Sequence, residues 1–155
     1  SDFLSLPPLL MREHQVGIIL ASGGIAGIIA SPLAGALVDR IGRKRTATYG
    51  FLINAASLML LILAKDFYAF VLLLFWFGCG AAFIWASLLT ISMEILPEMR
   101  GTVSSVFNSI RFFGYAVAPI VLLPVYTSSS INIIYLIGAG ISVMCIFLVR
   151  GIKSG

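Results

Sequence analysis

Residues 35–45, GALVDRIGRKR, decide how the rest of this chain is read. They set one acid, Asp39, and four basic residues, Arg40, Arg43, Lys44 and Arg45, between two long apolar runs. A charged connection this short reads as the hairpin between two membrane-spanning helices, with its positive residues left on the cytoplasmic side. The basic side chains suit the C-terminal end of the preceding helix, whose unpaired carbonyls carry partial negative charge. Asp39 is repelled there, so it is expected to be held by nearby Arg side chains or to point at the N-terminus of another helix. Gly35 permits close helix approach, and Gly42 permits a turn with positive φ.

Composition agrees with a lipid environment. The chain is 60% hydrophobic and 10% charged, with a mean hydropathy of +1.09. A soluble globule of 155 residues could not cover that much apolar surface. The net charge of +4 belongs mostly to residues flanking apolar runs, where they set topology, so nucleic acid is not an expected partner. Cys79 and Cys145 lie within apolar runs and read as small hydrophobes, and no metal or cofactor is expected. Residues 3–10 are apolar but too few to cross a bilayer, and no signal peptide is legible there. They read as the tail of a further helix, and the chain as a fragment of a longer protein.

A span needs about 20 mainly apolar residues. Five stretches qualify: 15–38, 46–64, 67–93, 102–126 and 131–149. The expected fold class is therefore all-α, a polytopic bundle of five complete spans forming one unit over residues 1–155. Short breaks at 35–45, 65–66, 94–101 and 127–130 make neighbours antiparallel. With alternating sides, Arg40, Arg43, Lys44, Arg45, Arg100, Arg150 and Lys153 fall on one face of the membrane, against Arg12 and Lys65 on the other. That imbalance places the 39–45 loop and the C-terminus in the cytoplasm; the expected location is the cytoplasmic membrane. Small-residue stripes at Gly23, Gly27, Ser31 and Gly35, and at Gly78, Ala82 and Ala86, read as ordinary helix packing. Pro32 and Pro119 each remove one internal hydrogen bond.

Arg111 is the costly residue. Ten positions after Gly101, it lies about 15 Å along a helix, near mid-membrane. An ionisable group at that depth faces the bundle interior or a water-filled path and has a partner. Ser104, Asn108, Arg111 and Tyr115 share one helix face. That stripe is expected to face a central cavity, with Arg111 meeting an anionic substrate group or a carboxylate, although a structural Arg that snorkels outward stays open. Trp76, Trp85, Ser87 and Thr90 are further contact candidates on the third span, and His14 reads as an edge residue. No Asp or Glu sits near the centre of a span, where a proton relay would need one.

The residues of the charged hairpin resemble the loop signature of the major facilitator superfamily, matched by Gly35, Asp39, Arg40, Gly42, Arg43 and Lys44. The resemblance implies half of a two-part transporter, lacking most of its first helix, with the loop acting as a conformational latch against another six-helix half. Residues 94–101, EILPEMRG, are similar to that family's loop after the fourth helix of a half, which adds Glu94 and Arg100 to the latch, with Glu94 pairing to Arg43 or Arg100. Leu74, where proton-driven antiporters carry Arg before their Gly-x-Gly, and the 114–119 segment GYAVAP both depart from the first-half pattern, which favours the C-terminal half.

The function implied is secondary active transport of a small drug-like or metabolite solute, by efflux with proton coupling, any coupling acid lying in the other half. Asn108, Arg111, Tyr115 and Trp85 are the substrate or cavity candidates. Uptake of a sugar or organic anion, by symport or facilitation, stays open. A non-transporting membrane assembly subunit is the alternative of another class. An enzyme is not expected, because no cluster of His, Cys and carboxylate residues is legible.

Overall fold

The apolar runs become five α-helices, α1 (Glu13–Ile41), α2 (Arg43–Leu61), α3 (Phe67–Ile95), α4 (Arg100–Ser128) and α5 (Ile131–Gly151), with a 3-10 turn at Pro97–Met99 ahead of α4. The structure is a computed structural model, and it describes residues 13–128 and 131–151. Residues 3–10, Arg12, Ser129, Ser130 and Lys153 lie outside the described residues. No strand occurs among the described residues, and the fold is an all-α membrane bundle.

Four of the helices outrun the expected spans, whereas α2 starts three residues before the expected 46–64 span and stops three residues short of its end. The helices α1, α3 and α4 each have 29 residues, or about 43 Å at 1.5 Å per residue, which exceeds a hydrocarbon core of about 30 Å. Their ends therefore continue into the interface or tilt. The 35–45 hairpin shrinks accordingly: α1 stays helical through Ile41, and Gly42 alone breaks the path, at φ 88°. Only glycine adopts that backbone without a steric penalty. The 94–101 break is likewise short, with Pro97 opening a single 3-10 turn.

Four described helices, α1, α3, α4 and α5, are long and apolar enough to cross a membrane on length and composition alone. The remaining one, α2, has 19 residues and begins with Arg43, Lys44 and Arg45. Its polar members Thr46, Thr48, Asn54 and Ser57 are all buried. The hydroxyls of Thr46 and Thr48 donate to the carbonyls of Gly42 and Lys44 at 3.0 and 2.9 Å, which hides them from lipid. Tyr49, Leu52, Met59 and Leu60 cover its outer side. A helix that turns its polar side chains to its neighbours can thus be less apolar than one facing lipid all round.

At the centre of the bundle, α3 packs against α1 and α2, while α2 also packs against α5. Lipid supplies no hydrophobic drive between helices, so these contacts depend on backbones coming close. They do so at glycines. A Cβ on Gly78 would run into the carbonyl group of Gly23, and one on Gly50 would lie 2.7 Å from the carbonyl oxygen of Gly80. Ser22 adds a polar link, its hydroxyl 2.6 Å from the Ile19 carbonyl oxygen and 3.2 Å from that of Val71 on α3. Val16, Ile19, Leu61 and Phe70 form one apolar cluster, and Ala47, Phe51, Ile146 and Val149 another between α2 and α5. Gly35 takes no part, since the space around it is open. It lies past the close crossing, which is made by Gly23 just over three turns earlier.

Helix α4 departs from this pattern. It touches α3 and α5 only lightly, and Ile110, Phe112, Phe113, Ile120 and Val121 are exposed along it. Pro119 and Pro124 lie inside it, yet the helix is continuous. The gap between α4 and the tight α1–α3 pair sets up the groove described next.

Candidate functional site

Arg111 projects from the first half of α4 and is half-buried. Its guanidinium carbon sits 4.0 Å from the ring centre of Trp85 on α3, and its Nε donates a hydrogen bond to the Tyr115 hydroxyl at 3.0 Å. The rings of Tyr115 and Phe112 lie at 5.4 and 5.7 Å. Trp85 is held in turn by Phe107, whose ring centre is 4.6 Å away. This is cation–π geometry, worth about 0.5 to 2 kcal/mol depending on how dry the site is. Aromatic faces thus replace part of the water that burial removes from the charge. Arg111 has no carboxylate partner among the described residues.

An open groove of about 740 Å³ runs in front of this guanidinium. The α1 positions Gly23, Gly24, Gly27 and Ile28 form one wall, and Gly78, Ala82 and Trp85 of α3 the floor, with Arg111 and Tyr115 opposite. Small residues keep the groove open because they leave the volume of larger side chains unfilled. Both small-residue stripes thus do two things, closing the α1–α3 crossing at Gly23 and Gly78 and lining the groove beside it.

The structure brings Trp85, Arg111 and Tyr115 together and leaves Asn108 apart. Asn108 donates its amide to the Ser104 carbonyl at 2.9 Å within its own helix. Ser87 and Thr90 likewise donate to the carbonyls of Phe83 and Ala86, at 2.7 and 2.8 Å. Trp76 is exposed on the outer side, and His14 is exposed in the first turn of α1.

Asn54 was missed by sequence reasoning. Its amide lines the groove from α2, is 7% exposed, and its Oδ1 has no hydrogen-bond partner. That oxygen sits where a Cβ on Gly80 would be, so it faces the glycine Cα and makes at most a weak C–H···O contact. The available signal was a lone Asn in an otherwise small and apolar run. Replacing Gly80 by Ala should therefore displace Asn54 and lower thermal stability, whereas Gly24→Ala, with nothing within 4 Å, should leave the melting temperature unchanged or slightly raised. Paired melting curves in detergent would check this.

At the other end of the bundle, Arg43 and Glu94 form an ion pair joining the start of α2 to the end of α3. Asp39, expected to be held by Arg or by a helix N-terminus, is exposed and makes no hydrogen bond or ion pair among the described residues. The reason is geometric: Arg40 is its immediate neighbour on a helix and faces elsewhere, and Arg43, past the Gly42 break, is turned to Glu94. Arg40 and Arg100 are exposed too, and neither has a partner among the described residues.

The sequence profile of the Major Facilitator Superfamily matches residues 3–153. No curated relative and no solved structure matches the chain significantly.

Proposed function

Because the chain belongs to the major facilitator superfamily, a family of secondary transporters, we propose that its groove at Arg111 receives a small solute carrying an anionic group on an apolar body, moved by alternating access. The observation that carries this reading is the Arg111 guanidinium, stacked on Trp85 and lacking a carboxylate partner among the described residues. Stacking and the bond from Nε leave the two terminal nitrogens to donate to a carboxylate or phosphate in the guanidinium plane. The groove's Gly, Ala and Ile lining suits an apolar remainder.

In this reading the bundle is one half of the transporter, the C-terminal half, working against a second six-helix half in the cytoplasmic membrane, with the 39–45 end cytoplasmic. Gly35, Asp39, Arg40, Gly42, Arg43, Lys44, Glu94 and Arg100 make up the latch between the halves. The exposure of Asp39, Arg40 and Arg100 without partners among the described residues supports that assignment. Efflux driven by protons is the proposed direction. Among the described acids whose side chains can be placed, Asp39, Asp66, Glu94 and Glu98 are all exposed at helix ends, so the coupling acid belongs to the other half.

Flux of candidate organic anions in proteoliposomes, under imposed pH gradients of either sign, tests the reading. No saturable flux of any anion that competes at the Arg111 groove would defeat it, and flux indifferent to the pH gradient would defeat proton coupling. The latch makes a separate prediction. An exposed ion pair contributes at most about 1 kcal/mol, so Glu94→Gln should barely move the melting temperature while slowing transport several-fold. The exchanged pair, Arg43→Glu with Glu94→Arg, should recover part of the rate. A large loss of stability in Glu94→Gln would make the contact structural instead.

A further inference from the structure

A second cavity lies at the opposite side of α2 from the groove. It has a volume of about 470 Å³ and is lined by Lys44, Arg45, Thr48, Tyr49 and Leu52 of α2 with Arg150 of α5. The chain brings these residues together because α2 begins where α5 ends, the two being fastened by Ala47, Phe51, Ile146 and Val149. Three cations from two helices thus converge on one cleft. Arg45 and Arg150 are exposed and make no hydrogen bond or ion pair among the described residues. Among the described residues no carboxylate lines the cleft. Arg45 and Arg150, like charges on one cleft, repel one another, and an anion between them would relieve that repulsion.

The other wall is apolar. Tyr49 and Leu52 are each about half exposed on the outer side of α2. Leu52 is nine residues beyond Arg43, so it lies about 14 Å further along the helix, at hydrocarbon depth if the helix starts at the interface. A site that is cationic at the headgroup level and apolar below it matches an amphiphile whose charge is a phosphate.

We propose that this cleft binds a phosphate-bearing anion, with the phosphodiester of an anionic phospholipid between Lys44, Arg45 and Arg150 and its acyl chain along Tyr49 and Leu52. The site is separate from the Arg111 groove and independent of the solute that groove carries. A soluble phosphate ester shares the headgroup chemistry but leaves the apolar wall unused.

The full chain, reconstituted in nanodiscs of equimolar phosphatidylcholine and phosphatidylglycerol and then released in mild detergent, is read by native mass spectrometry for retained lipid. Each cation near an anionic headgroup changes affinity by roughly fivefold, so Arg45→Gln with Arg150→Gln should retain at least about tenfold less phosphatidylglycerol. Arg40→Gln with Arg100→Gln, which removes the same charge at the same end, should retain as much as the unaltered chain. Arg45→Lys with Arg150→Lys keeps the charge and should keep the lipid, which covers the case in which the Gln variant fails to fold. In a second arm, glycerol 3-phosphate and inorganic phosphate are titrated calorimetrically into phosphatidylcholine nanodiscs. Binding there that the Gln variant abolishes, without phosphatidylglycerol retention, would assign the same site to a soluble phosphate. No difference between the two Gln pairs in the lipid arm, with no phosphate binding in the second, would overturn the proposal.

Discussion

Arg111→Ala should lower the transport rate at limiting solute by on the order of 100-fold while leaving expression and helical content intact. Removing one partner of a desolvated charge contact generally costs about 2 to 5 kcal/mol, and each 1.4 kcal/mol is about tenfold. The stability change should be small, because what the folded bundle loses is chiefly the contact with Trp85, worth about 0.5 to 2 kcal/mol. Arg111→Lys separates charge from shape. A lysine keeps the positive charge but loses the flat face on Trp85 and the paired donors, so partial activity with a raised KM is expected. Flux kinetics and melting curves for the two variants together decide the matter. If Arg111→Ala transports normally, Arg111 is a structural residue and the proposed solute contact is lost.

Gly78→Leu should prevent accumulation of folded protein. The side chain would have to occupy the space of the Gly23 backbone, and neither helix can yield without separating. Overpacking of a close-packed interior typically costs about 1 to 3 kcal/mol and can cost more; here the clash is with main chain, which cannot rotate away. The central helix α3 holds α1 through this crossing, so its loss should free α1 and open the groove with it. Gly114→Ala is the informative companion. Gly114 lies inside α4 with open space around it, and alanine in a helix interior is favoured over glycine by about 0.5 to 1 kcal/mol. Fluorescence-detected size exclusion and thermal melting should show aggregation for the first variant and an unchanged or higher melting temperature for the second. A Gly78→Leu protein that elutes and melts normally would mean that the α1–α3 crossing is looser than its geometry indicates.

How far the site was legible in the chain differs residue by residue. Arg111 was legible because a charge in the middle of an apolar run must have a polar surrounding, whatever the fold. Tyr115 followed from helical spacing on the same face. Asn108 was chosen by that same spacing and turns its amide to the Ser104 carbonyl instead; an amide can satisfy itself on its own helix, and spacing does not reveal that choice. Asn54 escaped because a single amide in a helix leaves no periodic trace, and its burial depends on how closely α2 meets α3 at Gly80. Gly35, part of the family motif, faces open space, while the closest crossing falls at Gly23, one stripe position that spacing alone could not distinguish from the others.

The amino-acid sequence by itself determined the solvent, the helical class and the register of helices and breaks. Those properties depend on local quantities, runs of about 20 apolar residues and the charges and glycine between them, and lipid enforces them because an unpaired backbone group in hydrocarbon is too costly. Only the tertiary structure decided that α3 is the centre, that α4 stands off to leave a groove, that Arg43 takes Glu94 while Asp39 stays unpaired among the described residues, and that Arg150 meets Lys44 and Arg45 across more than a hundred residues of chain. Helices in lipid are all similarly apolar, so hydrophobicity does not rank their pairings. What ranks them is how near two backbones can come, a property of two surfaces at once that no single stretch of sequence carries.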